Sequence, residues 1–216
     1  MADLFREVDE ALREDRAKTL WDRYGSLVIA LAAALVLGTA GFAFWQNHQA
    51  QQNQERSAML AQVLTLAEEN PAEAADQFAA LAASGGNQAL LARFYEAGLR
   101  AEAGHSEAAV DLYREIAGDS SVSGTWRDLA RLLAVMHGLD DDDPAVLEAE
   151  LAPLAAADSP WRFSAREMTG LLALRQGDTE RARTLFAELA DAPDAPAGVR
   201  ARAGELAALL SERGGE

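Results

Sequence analysis

The chain contains no cysteine. Disulfides, thiolate nucleophiles and cysteine zinc sites are thereby excluded. The compartment stays open, because a chain without cysteine suits oxidising and reducing surroundings alike. Histidine is scarce too: His48, His105 and His137 each stand alone, never paired at i, i+4 as a helical metal site requires. Aromatic residues make up only 6% of the sequence although half of it is hydrophobic. That balance favours alanine-rich helices, since strands draw on aromatic and β-branched side chains. Lysine is reduced to Lys18, and every other base is arginine. With 19 bases against 35 acids, the net charge of −16 argues against a nucleic-acid partner, whose affinity rests mainly on neutralised phosphate. Catalytic signatures are missing as well: no glycine-rich phosphate loop follows a strand, and neither G-x-S-x-G nor H-E-x-x-H occurs. Asp140 to Asp143 lacks the alternating ligands, central glycine and distal glutamate of a calcium loop. It reads as a solvated loop in which Asp143 caps a helix opening at Pro144. The expectation is a chain that is not an enzyme and carries no cofactor or metal.

Against these absences stands one long apolar run. Leu27 to Trp45 is free of charge, and the uncharged stretch extends from Tyr24 to Gln54. As a helix the 19 residues measure roughly 28 Å, close to the hydrocarbon thickness of a bilayer. Trp21 and Tyr24 stand at one end and Phe44 and Trp45 at the other, where amphipathic rings favour the headgroup level. The preceding 26 residues carry seven acids against five bases, unlike the short basic leader of a cleaved signal peptide, and the run exits through bulky residues. An uncleaved transmembrane helix over residues 26–46 is expected. It divides a cytoplasmic amphipathic segment, residues 1–25, with Leu4, Phe5, Val8 and Leu12 at helical spacing, from a domain over residues 47–216. Arg6, Arg13, Arg16, Lys18 and Arg23 precede the run, and only Arg56 follows it closely. The positive-inside rule then keeps the N-terminus in the cytoplasm and sends the C-terminal domain across the membrane. Ala30, Ala34, Gly38 and Gly41 form one small-residue stripe, a pattern that lets helices approach in lipid and offers self-association. Alanine-rich spans also produce such stripes by chance.

Beyond the run, helix breakers cut the chain into helix-length pieces: Asn70-Pro71, Gly85-Gly86, Gly104, Gly118, Gly138, Ser159-Pro160, Gly177 and Pro193 to Pro196. Every second piece carries a small or aliphatic residue and a large one four later. The pairs are Ala74 and Phe78, Ala109 and Tyr113, Leu147 and Leu151, and Ala182 and Phe186, spaced 35, 38 and 35 residues apart. Gly170, Gly177, Asp178, Ala182 and Phe186 fill out the last unit. A period near 34 with this second-helix pattern resembles the tetratricopeptide repeat. The fold class expected is all-α: one transmembrane helix, then an α-solenoid of about four helix pairs and a capping helix. The cap, residues 197–211, would turn Val199, Ala203, Leu206 and Leu210 inward and Arg200, Arg202 and Glu205 outward. Two apolar helix faces are expected to pack in the stack: Ala108, Ala109, Leu112, Tyr113 and Ile116, and Trp126, Leu129, Ala130, Leu133 and Met136. The tryptophan usual early in each repeat is absent, and Pro153 interrupts the helix begun at Pro144.

Three stretches carry a closer resemblance: Trp21-Asp22-Arg23-Tyr24-Gly25, Gly41-Phe42-Ala43-Phe44-Trp45-Gln46-Asn47-His48-Gln49, and the block from Trp161 through Gly170, Gly177 and Asp178 to Ala182. Here the chain resembles the YfgM-like family of membrane-anchored tetratricopeptide proteins, ancillary to the SecYEG translocon. The resemblance implies a single-pass protein of the bacterial inner membrane whose periplasmic domain associates with translocon subunits and periplasmic chaperones. A structural scaffold for envelope or division assembly is the alternative. In such stacks the first helix of each pair lines the groove, which puts Leu91, Phe94, Glu167, Leu171 and Arg175 on the partner-binding side. The three apolar residues suit the core equally well, so Arg175 discriminates best, being charged and seldom buried without a partner.

Overall fold

Alanine, leucine and glutamate-rich segments between glycine and proline breakers form helices because these side chains lose little freedom there. The computed structural model describes residues 2–86 and 88–213; of residues 2–22, 25, 27–33 and 213 it describes the backbone alone. Nine helices account for the described residues: α1 (Ala2–Glu69), α2 (Pro71–Ala83), α3 (Ala89–Glu102), α4 (Ser106–Gly118), α5 (Gly124–Gly138), α6 (Pro144–Leu151), α7 (Arg162–Arg175), α8 (Thr179–Ala190) and α9 (Ala197–Arg213). The chain divides into two compact units, Met1–Glu55 and Arg56–Glu216.

The first unit is helical backbone through residues 26–46. Among the described residues, no helix is long and apolar enough to cross a membrane. The expected span falls partly outside them, since the side chains of residues 27–33 are not described. From Ala34 to Trp45 every residue is exposed, Leu35, Leu37 and Phe44 at 70% or more. Ala34, Gly38 and Gly41 of the small-residue stripe are exposed, and a methyl group added at either glycine meets nothing within 4 Å. Ala30 lies outside the described side chains, as do Leu4, Phe5, Val8 and Leu12.

In the second unit each helix from α2 onward packs on the next in chain order, and α5 also meets α7 as α7 meets α9. This is the contact pattern of a stacked repeat. All four spaced pairs are core: Ala74, Phe78, Ala109, Leu147, Ala182 and Phe186 are wholly buried, and Tyr113 and Leu151 nearly so. Asp143 caps its helix as expected, and Asn70 and Asp178, at or beside breaker positions, also serve as caps. Asn70, Asp143 and Asp178 accept the backbone N–H of Glu73, Ala145 and Arg181 at 3.3, 2.8 and 3.1 Å, with Pro71 and Pro144 at the helix starts. Gly104 and Gly177 take positive φ, so the following N–H of His105 and Asp178 closes back onto the carbonyls of Arg100 and Ala173. Pro153 cuts α6 short at Leu151, yet Leu154 still reaches the same core as Leu147 and Leu151. Val199, Ala203 and Leu210 of α9 are buried and Leu206 is partly so.

Two expected faces need correcting. On α4, Ala108 is exposed, and the packed face runs through Ala109, Val110, Tyr113, Ile116 and Ala117. On α5 the difference is larger. Trp126 and Met136 are exposed and Leu129 and Leu133 only partly buried, while Ala130, Leu132, Ala134, Val135 and Gly138 are buried. The cause is close approach. Ala130 and Ala134 share a core with Val110 and Tyr113 of α4, and a Cβ on Gly138 would stand 3.5 Å from Val110 Cγ2. Large side chains would hold the two helices apart.

Candidate protein-binding surface

The first helices of three successive pairs, α3, α5 and α7, repeat one pattern. Leu91, Tyr95, Gly98 and Glu102 fall on one side of α3, spaced four, three and four apart. Moving on by 38 residues gives Leu129, Leu133, Met136 and Asp140, and by a further 35 gives Ser164, Met168, Leu171 and Arg175. None of the twelve is buried. The next row, Phe94, Leu132 and Glu167, turns inward: Phe94 is partly buried and the other two are buried. Trp126 extends the open row at the start of α5, and its ring lies 5.7 Å from Phe94, joining α3 to α5. The outward side of α5 is thus Trp126 and Met136, exposed, with Leu129 and Leu133 half-buried and Leu133 packed against the core around Tyr113 and Ile116.

Of the five residues expected on the groove, Leu91, Leu171 and Arg175 occupy the open rows, and Phe94 and Glu167 the packed one. Glu167 accepts two hydrogen bonds from Arg202 of α9, at 2.7 and 2.8 Å. That carboxylate holds the Arg202 guanidinium further above its already high range, through hydrogen bonding first and charge second. Arg175 donates through Nη1 to the carbonyls of Leu139 and Asp142, each at 2.6 Å, and so ties α7 to the loop after α5. Trp126, Leu129, Leu133 and Met136, expected to pack in the stack, and Met168, not singled out, stand in these rows; so does Tyr95, whose ring stacks on Phe78 of α2 with centroids 5.1 Å apart. Their repeat spacing alone identifies them, once it is clear which row packs.

Charge is distributed unevenly around this face. Glu102, Asp140 and Asp141 are exposed at its lower edge and form no ion pair with any described residue. Arg114 of α4 is bound to Glu150 and Asp142 at 2.8 and 2.7 Å. The hydrogen bond to Glu150 is the main cause of its raised proton affinity. Asp119 is held below the usual carboxylate range by the Ser121 hydroxyl and backbone N–H and then by Arg93. A cavity of about 320 Å³ opens beside α5, lined by Ser106, Glu107, Val110, His137, Gly138, Asp141 and Asp142. Its His137 stacks on Tyr113 with ring centroids 5.6 Å apart, and burial lowers its pKa. Burial, and then the charge of Glu102, raises that of Tyr113. Among the described residues no three His, Asp or Glu side chains are grouped to hold a metal ion.

A tetratricopeptide repeat-like domain matches residues 18–203. The match takes in α2 to α8 entire and the apolar run before them. No curated protein and no solved structure matches the chain.

Proposed function

The chain belongs to the tetratricopeptide repeat-like family, and from that premise we propose that it is a membrane-anchored interaction scaffold, not an enzyme, gripping partner polypeptides on the open face of α3, α5 and α7. One observation carries the reading. Helix α5 meets α4 through Ala130, Ala134 and Gly138, and this close packing leaves Trp126 and Met136 exposed and Leu129 and Leu133 half-buried on its other side. Large apolar side chains left exposed on one helix face suit an interaction site.

The anchor reading rests on the apolar run Leu27–Trp45 and on the exposed side chains from Ala34 to Trp45. Bases concentrated before the run support a cytoplasmic N-terminus and a repeat domain on the far side, periplasmic in a Gram-negative cell. The solenoid counts about four pairs closed by α9. The YfgM-like resemblance supports translocon subunits and periplasmic chaperones as partners, and Ala30, Ala34, Gly38 and Gly41 support self-association through the span. To test the reading, a photo-crosslinking amino acid is placed at Leu133, and at Asp111 on α4 as a control. Discrete protein adducts from Leu133 but not Asp111 in living cells are expected. Equal yields from both would remove the face as the binding site.

A further inference from the structure

The partner segment itself has a readable chemistry, given that the open face is where partners bind. Along α5 the face offers Trp126 and Met136, exposed, and Leu129 and Leu133, half-buried. Leu91 on α3 and the half-buried Met168 and Leu171 on α7 hold matching repeat positions, while the Tyr95 ring stacks on Phe78 of α2. Thioethers and leucines adapt to differently shaped apolar side chains, so this surface selects for hydrophobicity more than for sequence. Its lower edge selects for charge. Glu102 ends α3, Asp140 stands at the matching repeat position in the turn just after α5, and Asp141 follows. All three are exposed and leave their charge unpaired among the described residues. Arg175, the base in that row, has its Nη1 committed to two backbone carbonyls. The net charge of −16 steers cations toward the whole molecule, and at this edge acids follow the rows of α3 and α5 along the chain.

We propose that the face binds amphipathic segments that combine apolar residues with lysine or arginine, their apolar side chains on α5 and their bases against Glu102, Asp140 and Asp141. Acidic or purely polar segments are refused, the former because like charges would meet at the edge.

The test uses the full chain in a zwitterionic lipid nanodisc and two fluorescent peptides of equal length and leucine content, one carrying lysines and the other glutamates in their place. Fluorescence anisotropy should show the lysine peptide binding at least about tenfold more tightly. Glu102→Lys with Asp140→Lys should remove that preference. Asp111→Lys with Glu115→Lys makes the same change in net charge on α4, away from the face, and should alter affinity less than about twofold. Leu133→Ser with Met136→Ser should weaken both peptides. Equal loss from the two charge-reversed pairs would overturn the inference in favour of net charge alone. Equal affinity for the two peptides, or binding of neither, would overturn it too. Failure of this kind leaves the Leu133 adducts intact, so the partner chemistry and the binding face stand or fall separately.

Discussion

Gly170 and Phe186 show what a single residue decides in this fold. A Cβ on Gly170 of α7 would stand 2.7 Å from Phe186 Cε1 and Cζ, closer than atoms pack. The absent side chain is what lets the wholly buried ring of α8 lie against the α7 backbone. Phe186→Ala should cost about 3–5 kcal/mol, the usual range for emptying a buried aromatic site. Gly170→Ala should cost about 1–3 kcal/mol by overpacking the same contact. Chemical denaturation checks both, and a Phe186→Ala chain as stable as its parent would refute the repeat register. These residues were legible because spacing marks them in the sequence. His137 was not: nothing in its neighbours along the chain says that its ring lies on Tyr113. Burial lowers its pKa, so the folded state disfavours the protonated ring. As pH falls through the unfolded value of about 6.5, the unfolded chain takes up a proton that the folded chain resists. The stability this neutral ring contributes is full above that pH and is lost toward the lower folded pKa. His137→Gln should flatten the difference in unfolding free energy between pH 7.5 and 5.5 relative to the parent, and an unchanged slope would show that His137 does not titrate this way.

At the scale of the element, α5 is where sequence reasoning stops short. Its residues offer two apolar faces, Trp126-Leu129-Leu133-Met136 and Ala130-Leu132-Ala134-Val135-Gly138, and helical periodicity reports both without ranking them. Bulk suggests burying the first. Packing chooses the second, because α4 and α5 meet through alanine and glycine, and close backbone approach brings more atoms into contact than large side chains held at a distance. The decision depends on Val110 and Tyr113, residues of another helix, which no window along α5 contains. Stability should follow the structure. Ala134→Leu should lose about 1–3 kcal/mol from overpacking, and Met136→Ser should stay within about 0.5 kcal/mol of the parent, as exposed positions do. Comparable losses from the two would mean the faces are assigned the wrong way round.

For the whole molecule, the repeat period was legible from breakers and from the spaced residue pairs, and so was the capping helix. The links between repeats were not. Arg114 reaches Glu150, Arg181 reaches Glu148, Arg175 reaches the Leu139 carbonyl and Arg202 reaches Glu167, over 36, 33, 36 and 35 residues. Each spans about one period, but with 19 bases and 35 acids in the chain a period does not name the partners. The exposed Arg181–Glu148 pair is worth about 0–1 kcal/mol, whereas Glu167 is buried, so losing Arg202 would leave its carboxylate uncompensated. Topology is a different matter, because it is set before folding by which flank resists translocation. Five bases precede the apolar run and Arg56 alone closely follows it. A reporter fused after Glu216 and functional only outside the cytoplasm should therefore be active. Placing four arginines after Gln49 while replacing Arg13, Arg16, Lys18 and Arg23 should silence it, since the bases would then hold the other flank inside. An inactive reporter on the unaltered chain would sink the orientation. The open face of α5 would then be offered to cytoplasmic partners, with its preference for apolar and basic segments unchanged, because that preference comes from Trp126, Leu133, Met136, Glu102 and Asp140 and from nothing on the membrane side.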